Sequence, residues 1–289
     1  MDLTRRQQEI LEIVRDSGFA SVDRLAQHFN VTPQTIRRDV NLLCRESVLQ
    51  RYHGGVGPAS SVENLTYDAR KRIGLSDKRR IARAVAREIP NNASLFINIG
   101  TTTEAVANAL LGHSGLRVIT NNINVANILR KNSETEVIIA GGVVRTRDGG
   151  VVGGATVDFI RQFKVDYGVI GISGIDGDGT LLDYDYREVR VAQAIIANSR
   201  KIYLAADHSK FSRNALVRLG SLVDIDALFT DRPPPPVIGK LMTEHDIRVV
   251  VAAEDGTDLD PASQTFEGTS ASTSEASATV MSASSEQEL

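Results

Sequence analysis

The stretch VTPQTIRRDVNLL, residues 31–43, has the pattern of a helix that packs on one side and is polar on the other. Thr32 can cap this helix by accepting a backbone N–H, and Pro33 suits the first helical position, where no donor is needed. At about 100° per residue its apolar residues gather on one face, namely Ile36, Val40 and Leu43. The opposite face carries amide and guanidinium groups suited to base edges and phosphates, namely Gln34, Arg37, Arg38, Asn41 and Arg45.

Two helices and a hairpin are expected around this stretch. TRRQQEILEIVRDSG and SVDRLAQHFN both have apolar residues at helical spacing, and a short turn joins the second of them to residue 32. After the polar helix, SVLQRYHGGVGP alternates around a Gly-Gly turn, which favours a β-hairpin. The sequence therefore predicts a winged helix-turn-helix over residues 1–58, whose third helix enters the major groove of DNA.

Composition predicts two globular domains and an acidic tail. The chain has 289 residues, of which 42% are hydrophobic, and it contains a single cysteine, so no disulfide and no zinc-type cluster is expected. No apolar run is long enough for a membrane helix, so we expect a soluble cytoplasmic protein that does not bind membranes. We also expect it to need no metal and no cofactor. Residues 254–289 contain eight acidic residues and no lysine or arginine, and we expect this tail to be disordered.

The middle of the chain has the rhythm of an α/β domain. Residues 59–75 lack apolar periodicity and are predicted to be a linker, and a helix is expected to begin at Ser76. Seven apolar runs follow between residues 76 and 253, alternating with amphipathic segments: SLFINIG, RVITN, EVIIAGG, YGVIGISG, KIYLAAD, DALFTD and IRVVVA. Such runs are buried on both faces, so they predict a largely parallel sheet flanked by helices.

Polar loops follow these runs, where the ligand crevice of an open parallel sheet lies. NIGTTTEA offers backbone N–H groups, hydroxyls and a helix N-terminus to a phosphate. The other loops add amides, glycines, cations and carboxylates that suit a small phosphorylated polyol, namely Asn121, Asn122, Gly141, Gly142, Arg145, Arg147, Asp176, Asp183, Asp185, Glu188, Asp207 and Lys210. Each also has an ordinary structural interpretation, since a Gly-Thr-Thr loop often only caps its helix and loop arginines are often merely solvated.

These motifs together resemble the DeoR family of transcriptional regulators over residues 4–252. The resemblance is carried by TPQTIRRD, HGG, IGTTTEAVANALL, TNNINVAN, RDGGVVGGATVDFI, GISGID, DYDYREV and DHSKFSRNA. RDGGVVGGATVDFI and DHSKFSRNA are typical of the branch that controls glycerol and glycerol 3-phosphate utilisation. The resemblance implies a winged helix followed by an effector-binding and oligomerisation domain, over residues 76–253, similar in fold to ribose-5-phosphate isomerase. It also implies a dimer or tetramer that represses operons until a phosphorylated effector, here glycerol 3-phosphate, releases it from double-stranded operator DNA.

The resemblance and the residue pattern together define two sets of contacts. Those to DNA are expected at Thr32, Gln34, Thr35, Arg37, Arg38, Asn41, Arg51 and His53. Those to the effector are expected at Gly100, Thr101, Thr102, Thr103, Asn121, Asn122, Gly141, Gly142, Arg145, Asp176, Glu188, Asp207 and Lys210. Many members of the family have an aspartate where this chain has Asn98, so this chain lacks a negative charge beside the loop of residues 100–103.

Two other classes of protein compete with this interpretation. A sugar-phosphate isomerase or deaminase would use Asp207, His208 and Lys210 for proton transfer, but it has no need of a winged helix. A constitutive architectural DNA-binding protein would not need an effector-binding α/β domain. We therefore expect a regulator that is not an enzyme.

Overall fold

A computed structural model describes residues 4–45, 49–52, 54–58, 66–211 and 213–253. Among the described residues, no helix combines the length and apolar character needed to span a bilayer. The predicted acidic tail lies outside the described residues, as do residues 59–65 of the linker predicted over residues 59–75.

The N-terminal part is a winged helix-turn-helix, as predicted. Its three helices and three short strands are α1 (Arg5–Ser17), β1 (Ala20–Ser21), α2 (Val22–Phe29), α3 (Pro33–Arg45), β2 (Leu49–Tyr52) and β3 (Gly55–Pro58). The strands form an antiparallel sheet in the order β1-β3-β2, in which β2 and β3 are the hairpin expected from the Gly-Gly turn. The Thr4 side chain accepts the Gln7 N–H at the start of α1, and left-handed Gly18 ends that helix.

The apolar face of α3 forms the centre of this small domain. Ile36, Val40 and Leu43 are fully buried, as their spacing predicts, and they pack against residues of α1 and α2 such as Ile10 and Leu25. Thr32 accepts the Thr35 N–H at 3.3 Å, so the predicted cap is also confirmed. Local helix signals and core packing therefore agree in this domain.

Two helices lead from the winged helix into the second domain, α4 (Tyr67–Arg72) and α5 (Leu75–Glu88). The segment predicted to be an extended linker thus contains a helix. Its Tyr67 hydroxyl donates to Glu104 at 2.8 Å, and its Arg70 guanidinium pairs with Asp148 at 3.4 Å. Contacts with residues far along the chain stabilise α4, and such contacts leave no local pattern in the sequence.

A seven-stranded, fully parallel sheet forms the second domain. In space the strands run β15-β14-β12-β9-β4-β5-β6, and every neighbouring pair is parallel. The strands are β4 (Ser94–Ile97), β5 (Arg117–Thr120), β6 (Glu136–Ile139), β9 (Val165–Ile170), β12 (Ser199–Ala205), β14 (Ala227–Thr230) and β15 (Arg248–Val251). These strands coincide with the seven apolar runs, so that prediction is confirmed.

Helices cover both faces of this sheet. They are α5, α6 (Thr101–Ala109), α7 (Ile123–Leu129), α8 (Gly154–Ile160), α9 (Tyr186–Ala197) and α10 (Pro236–Glu244), with 3-10 turns at Leu110–Gly112, His208–Lys210 and Leu222–Asp224. Along β4, Phe96 belongs to one core, whereas Leu95 and Ile97 belong to the other. Burial on both faces is the physical reason for the uninterrupted apolar runs.

Among the described residues, the second domain also has two small antiparallel sheets besides the main one. One pairs β7 (Val143–Val144) with β8 (Val151–Val152), and the other has the order β10-β11-β13, formed by β10 (Gly174–Ile175), β11 (Thr180–Asp183) and β13 (Val217–Ser221). The sequence analysis placed Asp176 and Asp183 among the polar loops without predicting strands there, whereas residues 174–183 form a hairpin. Its short strands pair mainly with each other and with β13, which is distant in sequence.

Candidate functional site

The polar face of α3 is open to solvent. Gln34, Arg37, Arg38 and Asn41 are exposed, and Thr32 and Thr35 place their hydroxyl oxygens 3.0 Å apart at the start of the helix. Arg51 is exposed on wing strand β2, whereas His53 lies outside the described residues. The arrangement presents amide and guanidinium donors on one helix face, which is the chemistry needed to bind base edges and phosphates.

Asp39, which the sequence analysis did not single out, fixes the orientation of α3. It is buried on the inner side of the helix and accepts Arg6 Nε at 2.6 Å and Gln7 Nε2 at 3.1 Å. Both donors belong to α1, so this carboxylate ties the first helix to the third. An acidic residue beside two arginines gave no sequence signal that it points inward.

The second candidate site lies at the carboxyl edge of the parallel sheet, between β4 and β9. From β4 the chain passes to β5 on one side, while β9 lies on the other, so this is the point where the strand order reverses. Asn98 bridges the two strand ends, since its Oδ1 accepts the Gly171 N–H at 3.0 Å. Thr103 Oγ1 lies 2.9 Å from the Asn98 carbonyl and 2.8 Å from that of Gly100, which holds the loop of residues 100–103 in place.

Two lysines lie at this edge of the sheet, and one of them is linked to the loop. Lys78 of α5 is buried, and its ammonium group donates to the carbonyl of Arg70 in α4. The hydroxyl of Thr101, the first residue of α6, lies 3.4 Å from the same carbonyl. Lys210 ends the 3-10 turn after β12 and is half-buried beside buried Asp207, whose carboxylate accepts the Ser209 N–H at 3.0 Å.

These groups influence one another's protonation. Burial, with the positive charges of Arg70 and Arg213, lowers the pKa of Lys210 to about 7 and that of Lys78 to about 8, although Asp207 opposes both shifts. Burial would raise the pKa of Asp207, but Lys210 and Lys78 outweigh it and lower that pKa. We name Arg70, Lys78, Lys210 and Arg213 the cation cluster. Asp148 pairs with Arg70, and Glu104 also acts on Lys78, so the two lysines with lowered pKa values are the part of the cluster whose charged forms a bound anion would stabilise.

Hydrogen bonds around α6 and α7 already engage two of the residues predicted to bind the effector, Asn121 and Asn122. The buried Asn122 side chain accepts the Asn124 N–H at 2.9 Å and donates to Glu104 at 3.4 Å. Asn124 also donates to Glu104, at 3.0 Å. Buried Asn121 donates to the Val151 carbonyl at 3.0 Å, and its Oδ1 has no hydrogen-bond partner among the described residues. Asn122 is thus engaged by the protein, whereas Asn121 retains an acceptor.

Arg145 and Glu188 contact each other. Arg145 is buried and forms salt bridges with Asp148 at 2.8 Å, Asp185 at 3.1 Å and Glu188 at 2.7 Å. Burial and the neighbouring Asp183 carboxylate raise the pKa of Glu188. Because three carboxylates already surround its guanidinium, Arg145 is arranged to connect loops, and we leave this pair out of the effector site proposed below.

Three further predicted ligands have structural roles in their own loops. Asp176 lies in the exposed turn between β10 and β11, where it accepts the Gly177 N–H at 2.7 Å. The Gly141 carbonyl accepts the Thr156 hydroxyl at 2.8 Å. At Gly142, where φ is 151°, a Cβ would lie 2.1 Å from Thr156 Oγ1, so only glycine fits. These contacts explain the three residues without an effector.

Asp77, His208 and Asp231 form one group that could hold a metal ion, with potential ligand atoms all within 4.8 Å of one another. His208 Nδ1 lies 2.6 Å from Asp231, and the carboxylates of Asp77 and Asp231 pair with Arg80 at 2.7 Å and Arg232 at 3.5 Å. With an arginine on each carboxylate and lysines nearby, the group is better suited to positioning the 3-10 turn than to binding a cation.

Arg70, Lys78 and Arg213 were missed by sequence reasoning. Arg70 lies in the segment interpreted as a linker, and Lys78 was assigned to an ordinary amphipathic helix. Arg213 belongs to the motif DHSKFSRNA, and this motif was the one available signal. Threonines 101–103 and residues 207 and 210 were predicted, and the structure brings their elements to the same edge of the sheet.

Comparison with known proteins establishes the family. A model described as the DeoR-like helix-turn-helix domain matches residues 6–62, and one described as the DeoR C terminal sensor domain matches residues 74–232. The glycerol-3-phosphate regulon repressor of Escherichia coli is 51% identical over 249 residues, covering 86% of this chain and 99% of that protein. The protein of the same name from Haemophilus influenzae is 52% identical, covering 83% and 94%.

More distant similarities are found as well. The HTH-type transcriptional repressor CsqR of Escherichia coli is 38% identical over 250 residues, covering 86% of this chain and 96% of its own. Among solved structures, ribose 5-phosphate isomerase A from Neisseria gonorrhoeae matches with a TM-score of 0.35 and 15% identity, over 46% of this chain and 52% of its own. That structural likeness is too weak to bear on function. The family models and the sequence relatives show that this chain belongs to the DeoR family, with a winged helix-turn-helix followed by an α/β sensor domain.

Proposed function

We propose that this protein is a sequence-specific repressor of operons for glycerol and glycerol 3-phosphate utilisation, released from operator DNA by glycerol 3-phosphate. The proposal is supported by relatives that are named repressors of this regulon and by the cation cluster at the sheet edge. We divide the chain into the DNA-binding residues 1–58, a connection at 59–75, the sensor residues 76–253 and the acidic residues 254–289. Action on operator DNA would take place in the cytoplasm.

The DNA contacts are assigned to the exposed face of α3 and to the wing. Gln34, Arg37, Arg38 and Asn41 would reach base edges and phosphates in the major groove, with Thr32 and Thr35 at the N-terminal end of the helix. Arg51 and His53 would contact the DNA backbone from the wing. Asp39 is a positioning residue, because it orients α3 on α1 from the inner side.

The observation that carries the effector assignment is the position of Lys78, whose ammonium group shares the Arg70 carbonyl with the hydroxyl of Thr101, together with the nearby charge of Lys210. Lys78 and Lys210 would hold the phosphate together with Gly100 and threonines 101–103, which offer backbone N–H groups at the start of α6. Asp207 and the unpartnered Oδ1 of Asn121 would accept the hydroxyls of the polyol.

A repressor of this kind requires more than one DNA-binding unit. A dimer or tetramer would present two recognition helices to successive major-groove faces, and effector binding would favour an arrangement that no longer matches the operator. The alternative, a sugar-phosphate isomerase or deaminase, would place Asp207 or Lys210 in proton transfer. It leaves the winged helix without a role, and the sequence relatives named above are transcriptional repressors.

Fluorescence anisotropy with a promoter fragment from a glycerol-utilisation operon tests this function. At one fixed salt concentration, glycerol 3-phosphate should raise the Kd for the operator, while ribose 5-phosphate at the same concentration should not. A Lys210→Met variant should bind DNA normally and respond less to glycerol 3-phosphate. Lys201→Met, which removes an exposed lysine near the other end of β12, is the matched control.

Two results would contradict the proposal. Tight operator binding that no concentration of glycerol 3-phosphate weakens would overturn the effector. Turnover of ribose 5-phosphate or glucosamine 6-phosphate by the purified chain, abolished in the Lys210→Met variant, would instead support the enzyme alternative.

A further inference from the structure

Arg213 is buried between two aromatic rings that belong to different domains. The side chain is 1% exposed, and its guanidinium carbon lies 5.1 Å from the centre of the Tyr52 ring and 5.5 Å from that of Tyr184. Tyr52 ends wing strand β2, whereas Tyr184 follows β11 of the sensor domain. Both distances are within the range of a cation–π interaction. One guanidinium therefore joins the wing to the sensor domain.

The Tyr52 ring is anchored at the domain boundary. It is buried and packs against Ile73, between α4 and α5, and its ring meets that of Phe19 edge-on at 6.4 Å. Phe19 directly precedes β1 of the winged helix. Because the wing contributes the ring at this boundary, a change at Arg213 acts directly on an element expected to touch DNA.

The other end of the connection is the cation cluster. Arg213 follows Lys210 by three residues, and its positive charge contributes to the lowered pKa of both Lys210 and Lys78. The backbone there is tightly held, since a Cβ on Gly174 would lie 2.1 Å from the Arg213 carbonyl oxygen. The Tyr184 hydroxyl also donates to the carbonyl of Asn214 at 2.9 Å. With this backbone constrained, the guanidinium is the part of Arg213 best able to respond to a nearby charge.

We propose that Arg213 transmits anion binding at the cation cluster to the wing. In the anion-free protein, its contact with Tyr52 holds the wing in the orientation that binds DNA. An anionic phosphate beside Lys78 and Lys210 attracts the guanidinium and weakens its contact with Tyr52, so the wing loses that orientation. The inference rests on the effector site proposed above. Arg213 would couple the two sites without itself contacting the ligand or the DNA.

The test compares two substitutions of Tyr52 in the full-length chain. Tyr52→Phe keeps the aromatic face that Arg213 contacts, whereas Tyr52→Leu keeps an apolar side chain without a π system. For each protein, calorimetry measures glycerol 3-phosphate binding without DNA, and anisotropy measures the operator Kd with and without the same ligand. Tyr184→Leu provides a second variant that leaves the wing sequence unchanged. Its control is Tyr184→Phe, because both variants lose the hydroxyl that donates to the Asn214 carbonyl and only Tyr184→Leu loses the ring beside Arg213.

We expect glycerol 3-phosphate to weaken operator binding of the wild-type chain by roughly 5- to 150-fold, the usual range for coupled sites. Tyr52→Phe should retain that factor. Tyr52→Leu and Tyr184→Leu should still bind glycerol 3-phosphate, but the factor should fall several-fold towards one. If Tyr52→Leu fails to bind operator DNA, Tyr184→Leu decides the outcome.

The outcomes separate this inference from the proposed function. If both leucine variants bind glycerol 3-phosphate and keep the wild-type factor, the role of Arg213 is overturned and the repressor function stands. If the wild-type chain binds no glycerol 3-phosphate in calorimetry, the proposed effector is wrong and the inference is overturned with it.

Discussion

The pH dependence of effector binding follows directly from the two lysines of the cation cluster. Burial lowers the pKa of Lys210 to about 7 and that of Lys78 to about 8 in the free protein. A bound phosphate dianion stabilises the charged ammonium forms, so binding takes up protons and affinity falls as pH rises through these values. Between pH 8 and pH 9 the charged fraction of Lys210 should fall about tenfold and that of Lys78 about fivefold.

Calorimetric titration of the DNA-free protein with glycerol 3-phosphate measures this effect. The ligand's own second ionisation is nearly complete by pH 8, because phosphate monoesters have a second pKa of about 6. The Kd should therefore rise by up to about 50-fold between pH 8 and pH 9 if the two lysines act independently. In Lys210→Arg the guanidinium does not titrate, so only the roughly fivefold change from Lys78 should remain. An affinity that is the same at both pH values, or an equal pH dependence in Lys210→Arg, would refute the reasoning.

Three substitutions test the rest of the molecule. Arg38→Ala should weaken operator binding by about 1–3 kcal/mol if this residue contacts a base, measured by anisotropy at fixed salt, and an unchanged Kd would contradict its role. Asp39→Ala leaves the buried Gln7 amide without its carboxylate, so it should destabilise the winged helix by about 1–3 kcal/mol in urea unfolding. Thr103→Val removes the hydroxyl that holds the loop of residues 100–103, which should lower stability by about 1–2 kcal/mol and weaken glycerol 3-phosphate binding; full effector affinity in this variant would argue against the loop.

Much of the fold was predictable because its signals are local. The Thr-Pro start of α3, its apolar spacing and the Gly-Gly hairpin each specify an element within a few residues, and the structure has all three. The seven apolar runs became seven parallel strands because both faces of the sheet are covered, although the edge strand β6 is only partly buried. Helix α4 and the hairpin of residues 174–183 were missed, since each depends on contacts with residues distant in sequence.

The candidate site was predicted only in part. Threonines 101–103, Asp207 and Lys210 could be proposed because polar residues after parallel strands meet at one edge. The sequence alone did not show which positively charged residues lie near the loop of residues 100–103. Arg145 was predicted as a ligand but is surrounded by three carboxylates, whereas Lys78 was not predicted and faces the loop.

The sequence by itself determined the helices of the winged helix, the seven strands of the main sheet, the division into a DNA-binding and an α/β part, and the family, because periodicity, capping and motifs act over short distances along the chain. Only the tertiary structure decided which charged side chains lie close to one another or to an aromatic ring. The charge of Lys78 acts on Lys210, and Arg213 lies beside Tyr52, although more than 130 residues separate the members of each pair. A pKa or a cation–π contact depends on distance and burial in space, and a single sequence does not contain these quantities.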